Sequence, residues 1–193
     1  MDIMELLQTR RTYRRFDESR AVPLEVVSDM KTAFRLSSSA ANAQRLRAIF
    51  VESPALVAKV FPLTHWAGAL PPELGVPKEG ERPTLFVLLT VEHDARTKYT
   101  DTDAGLALSN LTLAAWAHGV GSCIMDNIER DAIKEALNLP ATTEIHSAVG
   151  FGYPTHTSTV TEVPESGKLA YYLDEDKNYH VPKRSVEELC TTM

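Results

Sequence analysis

The chain has 193 residues, 44% of them hydrophobic and 24% charged, with a formal net charge of -6. That length can bury a real core in one domain or in one protomer of an intertwined oligomer. The acidic balance argues against a nucleic-acid binder, the distant Cys123 and Cys190 argue against a disulfide framework or cysteine zinc site, and no apolar run reaches the roughly 20 residues of a membrane span.

Taken in chain order, Met1-Asp2-Ile3-Met4-Glu5 is acidic and helical in pattern, unlike a signal peptide, so a reducing, cytoplasmic setting is expected. Asp2 can cap a first helix with an Ile3, Leu6, Leu7 stripe ending near Thr9. Arg10-Arg11-Thr12-Tyr13-Arg14-Arg15-Phe16 follows, with four arginines and a hydroxyl in seven residues. Guanidinium forks suit phosphate oxygens because they are planar, bidentate and always charged. In an extended backbone Thr12 and Arg14 face one way, Arg11 and Arg15 the other. A solvated basic loop after a helix is the competing reading.

Val22-Pro23 predicts a helix start, with Val27, Met30 and Phe34 on one face and a stop in Ser37-Ser38-Ser39. Residues 46–51 read as a strand and Pro54 opens a short helix. Residues 68–83 are rich in proline, glycine and charge and read as a long surface loop, the kind that serves as a lid or binding element. Residues 84–91 form a continuous apolar run, hence a buried central strand. Residues 103–118 predict a helix apolar around most of its circumference, either central to the domain or packed on a second subunit. A strand at 122–125, an amphipathic helix at 130–137 and a strand at 145–151 complete an α+β pattern without βαβ alternation. Residues 155–193 form a polar C-terminal arm, and residues 1–193 read as one domain.

The usual chemical motifs are missing. Gly150-Phe151-Gly152 lacks the third glycine and the following helix of a dinucleotide fingerprint, because Pro154 intervenes. No P-loop, nucleophile elbow or zincin motif occurs, and His65, His93, His118, His146, His156 and His180 show no ligand spacing, so no metal is expected. His118 suits a helix C-terminus, and Asn42 with Gln44 in a small-residue loop suits either turn chemistry or amide reading of a heterocycle. His65, Trp66 and Tyr99 are acceptor-pocket candidates, although aromatics beside loops more often pack.

In combination the motifs resemble a known family. Arg10-Arg11-Thr12-Tyr13-Arg14, then Ser38-Ser39-Ala40-Ala41-Asn42-Ala43-Gln44, is similar to the opening of the nitroreductase-like flavoproteins. So are the helix from Asp103 through Asn110 to Ala115, the Gly119 to Ser122 turn, Gly152-Tyr153-Pro154 and the closing Lys183-Arg184. The resemblance implies a nitroreductase-like fold, a mostly antiparallel central sheet flanked by helices in an intertwined homodimer, with FMN at the subunit interface. It implies that Arg10, Arg11 and Thr12 hold the FMN phosphate and ribityl chain, completed by Lys183 and Arg184. Arg14 would lie near the pyrimidine edge. Ser38, Ser39, Ala40 and Asn42 would approach from the other protomer, and Met125, Asp126, Asn127 and Ile128 would lie along the ring, where a backbone N–H can reach N5.

The chain departs from the family pattern in four places. Ser38 stands where proline is common, Thr12 where serine is common, and Arg45-Leu46 where Pro-Trp usually follows the glutamine; the arm is also longer than in the shortest members.

The expected activity is an FMN oxidoreductase carrying electrons from NADH or NADPH to a small-molecule acceptor, a nitroaromatic or quinone, by a ping-pong cycle. The flavin would carry the chemistry, so no catalytic side chain is needed. A guanidinium beside N1 and C2=O would stabilise the anionic reduced flavin and raise its potential. The alternatives are a reductive dehalogenase or flavin-fragmenting relative, or a flavin-binding protein without turnover. A purely structural helical partner would leave the arginines unexplained.

Overall fold

The computed structural model describes residues 2–193. A four-stranded antiparallel sheet runs in the order β1 (Arg47–Val51), β2 (Leu85–Glu92), β4 (Thr143–Gly152), β3 (Gly121–Met125). The apolar run of β2 is buried on both faces, as its lack of alternation predicts. Phe86 and Leu88 join one core layer with Val57, Val60 and Ile133, beneath α3 (Pro54–Val60) and α6 (Arg130–Ala136). Leu85, Val87 and Leu89 join the other with Met30, Ala107 and Leu111, beneath α2 (Leu24–Arg35) and α5 (Thr100–Ala117). Burying each large apolar side chain on β2 contributes about 1.5–3 kcal/mol, which makes this strand the anchor of both layers.

Helix α1 (Ile3–Thr9) forms as the sequence predicts, with the Asp2 carboxylate accepting from Glu5 N at 2.9 Å. It buries none of its own residues; Ile3, Met4 and Leu7 stay exposed. Its hold on the fold comes from its end, where the Trp116 indole donates to Thr9 Oγ1 at 2.8 Å.

The chain then crosses the free edge of β3. Tyr13 N donates to Ser122 O at 2.9 Å, and Thr12 and Phe16 form isolated bridges with Ser122 and Pro154. Two glycines make this crossing possible. Gly121 and Gly152 face each other in the β3–β4 register. A Cβ on Gly121 would meet Tyr13 Cδ2 at 2.9 Å, and one on Gly152 would meet Phe16 Cβ at 2.9 Å. The bare backbone lets Tyr13 and Phe16 lie flat on the sheet, both buried, with Tyr13 stacked on Trp116 at 5.0 Å.

Three regions differ from the sequence expectation. Helix α5 begins at Thr100, a full turn's worth of polar residues before the apolar stretch. Residues 68–83 contain a helical turn, α4 (Pro72–Gly75), and their far end is fixed rather than free: Phe16 N donates to Glu81 O at 2.9 Å and Gly80 N donates to Glu18 at 2.7 Å. The arm is a second sheet, in the order β5 (Ser158–Glu162), β7 (Tyr179–Lys183), β6 (Tyr172–Leu173), followed by α7 (Val186–Leu189). No helix among the described residues is long and apolar enough to cross a membrane.

Gly152→Ala should drive Phe16 off the sheet. We expect a loss of about 1–3 kcal/mol, typical of overpacking, read as a lower urea midpoint with an unchanged m-value.

Candidate functional site

Four groups of residues are candidates, and the fold brings two of them to one place. Arg10, Arg11, Thr12 and Arg14 sit where the chain crosses β3 at Ser122; Met125, Asp126, Asn127 and Ile128 continue from the end of the same strand. From Ser122 to Met125 the separation is about 10 Å at the usual rise of a strand. The second group is clamped from both sides. Thr64 bridges Ile128, His65 N donates to Asn127 O at 3.1 Å, and the His65 ring pairs with Glu129 at 2.8 Å. Arg130 donates to the Asp126 carboxylate and, at 2.9 Å each, to Ile145 O and His146 O.

The arginines are unequally engaged. Arg11 Nη2 donates to Leu7 O at 2.8 Å and Gln8 O at 2.6 Å, closing the C-terminus of α1, while its Nε is buried without a partner. Arg10 meets no carboxylate among the described residues, and burial, followed by the neighbouring Arg11 charge, lowers its pKa. The Arg14 guanidinium lies over the Tyr171 ring at 4.3 Å and the Tyr179 ring at 4.9 Å, with its Nε buried and unpaired. Arg15 is the structural one. It is buried, donates to Lys177 O at 2.5 Å, and lies 3.9 Å from Glu81, so it ties the arm to the core.

Ser38, Ser39, Ala40 and Asn42 lie elsewhere. Ala40 N donates to the buried Asp103 carboxylate at 2.8 Å, near the start of α5. The arginine stretch instead adjoins Trp116, near the end of the same helix. Thirteen residues of helix, roughly 20 Å, separate these two anchor points. The loop is held in an unusual shape, with Ala41, Asn42 and Gln44 at φ of 52, 51 and 48°. Asn tolerates that region, but it costs Ala and Gln on the order of 1–2 kcal/mol each.

Lys183 and Arg184 end β7 and follow it. Lys183 is exposed and Arg184 pairs with Glu188 at 3.3 Å, so neither shares a hydrogen bond with the arginine stretch in one protomer. Trp66 is a core residue that donates to Thr64 at 2.9 Å, and Tyr99 is exposed at the start of α5. Cys123 is buried, and burial pushes its thiol up to about 11.

His156 carries no signal in the sequence. It is buried against Tyr13 and Tyr179, and neither ring nitrogen has a partner among the described residues. Burial, then the Arg15 charge, lowers its pKa to about 4; the Arg15 backbone pulls weakly the other way without reaching hydrogen-bond geometry.

The donor set fits a phosphorylated flavin. Buried guanidinium nitrogens without partners cost free energy unless something accepts from them, and those of Arg11 and Arg14 lie within the segment expected to hold FMN.

The model of the Nitroreductase family matches residues 7–153. A structure from Desulfovibrio desulfuricans, assigned as a nitroreductase and solved with FMN, superposes with a TM-score of 0.69 at 21% identity, covering 86% of this chain and 94% of that one. A Streptococcus pneumoniae TIGR4 structure from the same family gives 0.67 at 17%, covering 91% and 97%. One from Parabacteroides distasonis, assigned as an NADH dehydrogenase/NAD(P)H nitroreductase, also gives 0.67 at 17%, covering 86% and 95%. No sequence among the curated proteins matches. At these identities the structural likeness establishes the fold.

The His156 environment sets a pH dependence. Above about 6.5 the ring is neutral in both states; as pH falls toward about 4 the unfolded chain takes up the proton first. The native state should lose about 3 kcal/mol across that window, and His156→Phe should remove this component, measured by urea denaturation at pH 7 and pH 4.

Proposed function

Because the chain belongs to the nitroreductase family, we propose that it is an FMN-dependent oxidoreductase working as a homodimer. In this reading it takes hydride from NADH or NADPH and passes electrons to a nitroaromatic, quinone or similar oxidised acceptor in a ping-pong cycle. The observation that carries it is the guanidinium cluster: Arg10 without a carboxylate, and the buried, unpaired Nε atoms of Arg11 and Arg14, beside a strand edge in an acidic chain.

FMN, when bound, supplies the redox chemistry. Arg10, Arg11 and Thr12 would hold its phosphate and ribityl chain, and Met125 to Ile128 would offer a backbone N–H along the ring. Arg14 would present a fixed positive charge, which favours a reduced, anionic ring. Lys183 and Arg184 are proposed as further phosphate ligands.

The dimer is supported by what one protomer leaves uncovered. Gly105 and Leu106 on α5 are exposed, Leu113 is half-buried, and Ile3, Met4 and Leu7 on α1 are exposed. A two-fold contact through antiparallel α5 helices would cover that apolar stripe. It would also carry the Ser38–Asn42 loop of one copy to the arginine stretch of the other, across the roughly 20 Å that separates them within a protomer. The other reading is a flavin-binding protein without turnover, since the same guanidinium cluster would hold a flavin in either case.

Purified protein mixed with FMN should show the absorbance of bound flavin and oxidise NAD(P)H in the presence of a quinone; a colourless protein that stays colourless defeats the proposal. Flavin bound with no NAD(P)H oxidation at any acceptor would select the second reading. Arg14→Ala should weaken FMN about ten-fold and lower the midpoint potential of the bound flavin, measured by spectroelectrochemistry.

A further inference from the structure

A cavity of about 500 Å³ opens beside the Ser38–Asn42 loop, in the size range of small-molecule sites. Its walls are basic although the chain is acidic. Arg35, Arg45 and Arg47 line it, against one carboxylate, Asp103, which already accepts from Ala40 N. Arg47 is engaged with Gln44 O and Leu46 O at 2.8 Å each. Arg35 and Arg45 have no hydrogen bond or ion pair among the described residues, and the Ser38 hydroxyl beside them is also uncommitted. Phe34 and Leu46 supply apolar wall.

Two uncommitted guanidiniums and a hydroxyl lining one cavity make a donor-rich surface, which suits the oxygens of a phosphate. The loop forming the rim is strained at Ala41 and Gln44, as ligand-gripping backbone often is. Arg45 is also a property of this chain rather than of the pattern it resembles, which has proline there.

We propose that this cavity takes a phosphoryl group of the nicotinamide dinucleotide donor, with Arg35 and Arg45 as its ligands. The inference rests on the oxidoreductase reading, because the cavity shares Ser38 and Ser39 with the proposed flavin approach. The phosphoryl group is either the 2′-phosphate of NADPH or the pyrophosphate common to both donors, and the test separates them.

Adenosine 2′,5′-bisphosphate and ADP-ribose serve as probes, titrated by calorimetry into FMN-loaded and flavin-free protein. The variants are Arg45→Met and Arg35→Met, which keep the apolar stems, and Arg45→Lys. Each methionine variant should weaken a probe about ten-fold, and Arg45→Lys should restore part of the loss. Donor KM should rise by a similar factor while kcat and the flavin spectrum stay unchanged. An effect on the bisphosphate and NADPH alone identifies the 2′-phosphate; an effect on both probes and both donors identifies the pyrophosphate. Wild-type affinity for both probes in both methionine variants overturns the proposal. So does loss of FMN from Arg45→Met, which would make the arginine a flavin ligand. If the protein binds no FMN, the oxidoreductase reading fails separately, and the flavin-free titration still decides whether the cavity holds phosphate.

Discussion

The candidate site depends on two missing side chains. Gly121 and Gly152 sit opposite each other on neighbouring strands, and a methyl on either would strike Tyr13, Pro154 or Phe16. With both bare, the two aromatic rings settle on the sheet and fix the backbone between them in an extended crossing. Arg10, Thr12 and Arg14 owe their position to this contact, since their own side chains make few bonds to the protein. The packing of two hydrophobic rings therefore sets where a set of charges stands.

Those charges meet an arm whose polar groups are also unpaired. His156 Nδ1 and Nε2, Ser158 Oγ, Thr161 Oγ1 and Tyr179 Oη join Arg11 Nε and Arg14 Nε as buried atoms without partners; outside this seam only Arg82 Nε does so among the described residues. Aromatic faces lie against the guanidiniums here, with Tyr171 and Tyr179 over Arg14 and Tyr179 5.9 Å from Arg15. Cation–π contact of this kind is worth about 0.5–2 kcal/mol. It holds the Arg14 guanidinium by its face, so the cation is positioned without a carboxylate partner.

Local sequence signals recovered the elements well and their assembly poorly. Asp2, Pro23 and Pro54 marked helix starts because caps and proline act within one turn, and the unbroken apolar run of β2 revealed a strand covered on both faces. The start of α5 was hidden because Thr100, Asp101 and Thr102 carry no apolar period. The arm read as irregular because β5, with Thr159, Val160 and Thr161, is largely exposed and pairs with β7, about twenty residues on, in parallel. Nothing local encodes such a pairing. The same holds for the site. The arginine cluster was legible from the order of residues 10–16 alone. Arg11 closes α1 through carbonyls only three and four residues back, but that Arg15 would bind the arm and His156 would lie buried between Tyr13 and Tyr179 depends on contacts distant in sequence.

Helix α5 also acts as a ruler. It anchors the Ser38–Asn42 loop through Asp103 near one end and the arginine stretch through Trp116 near the other. Adding or deleting a single residue between those anchors would shift one by about 1.5 Å and swing it by about 100° around the axis. Residues 68–83 and the turns of the arm can change length without disturbing this spacing. Length changes should thus be tolerated at the periphery and resisted between Asp103 and Trp116, where the count of residues matters as much as their chemistry.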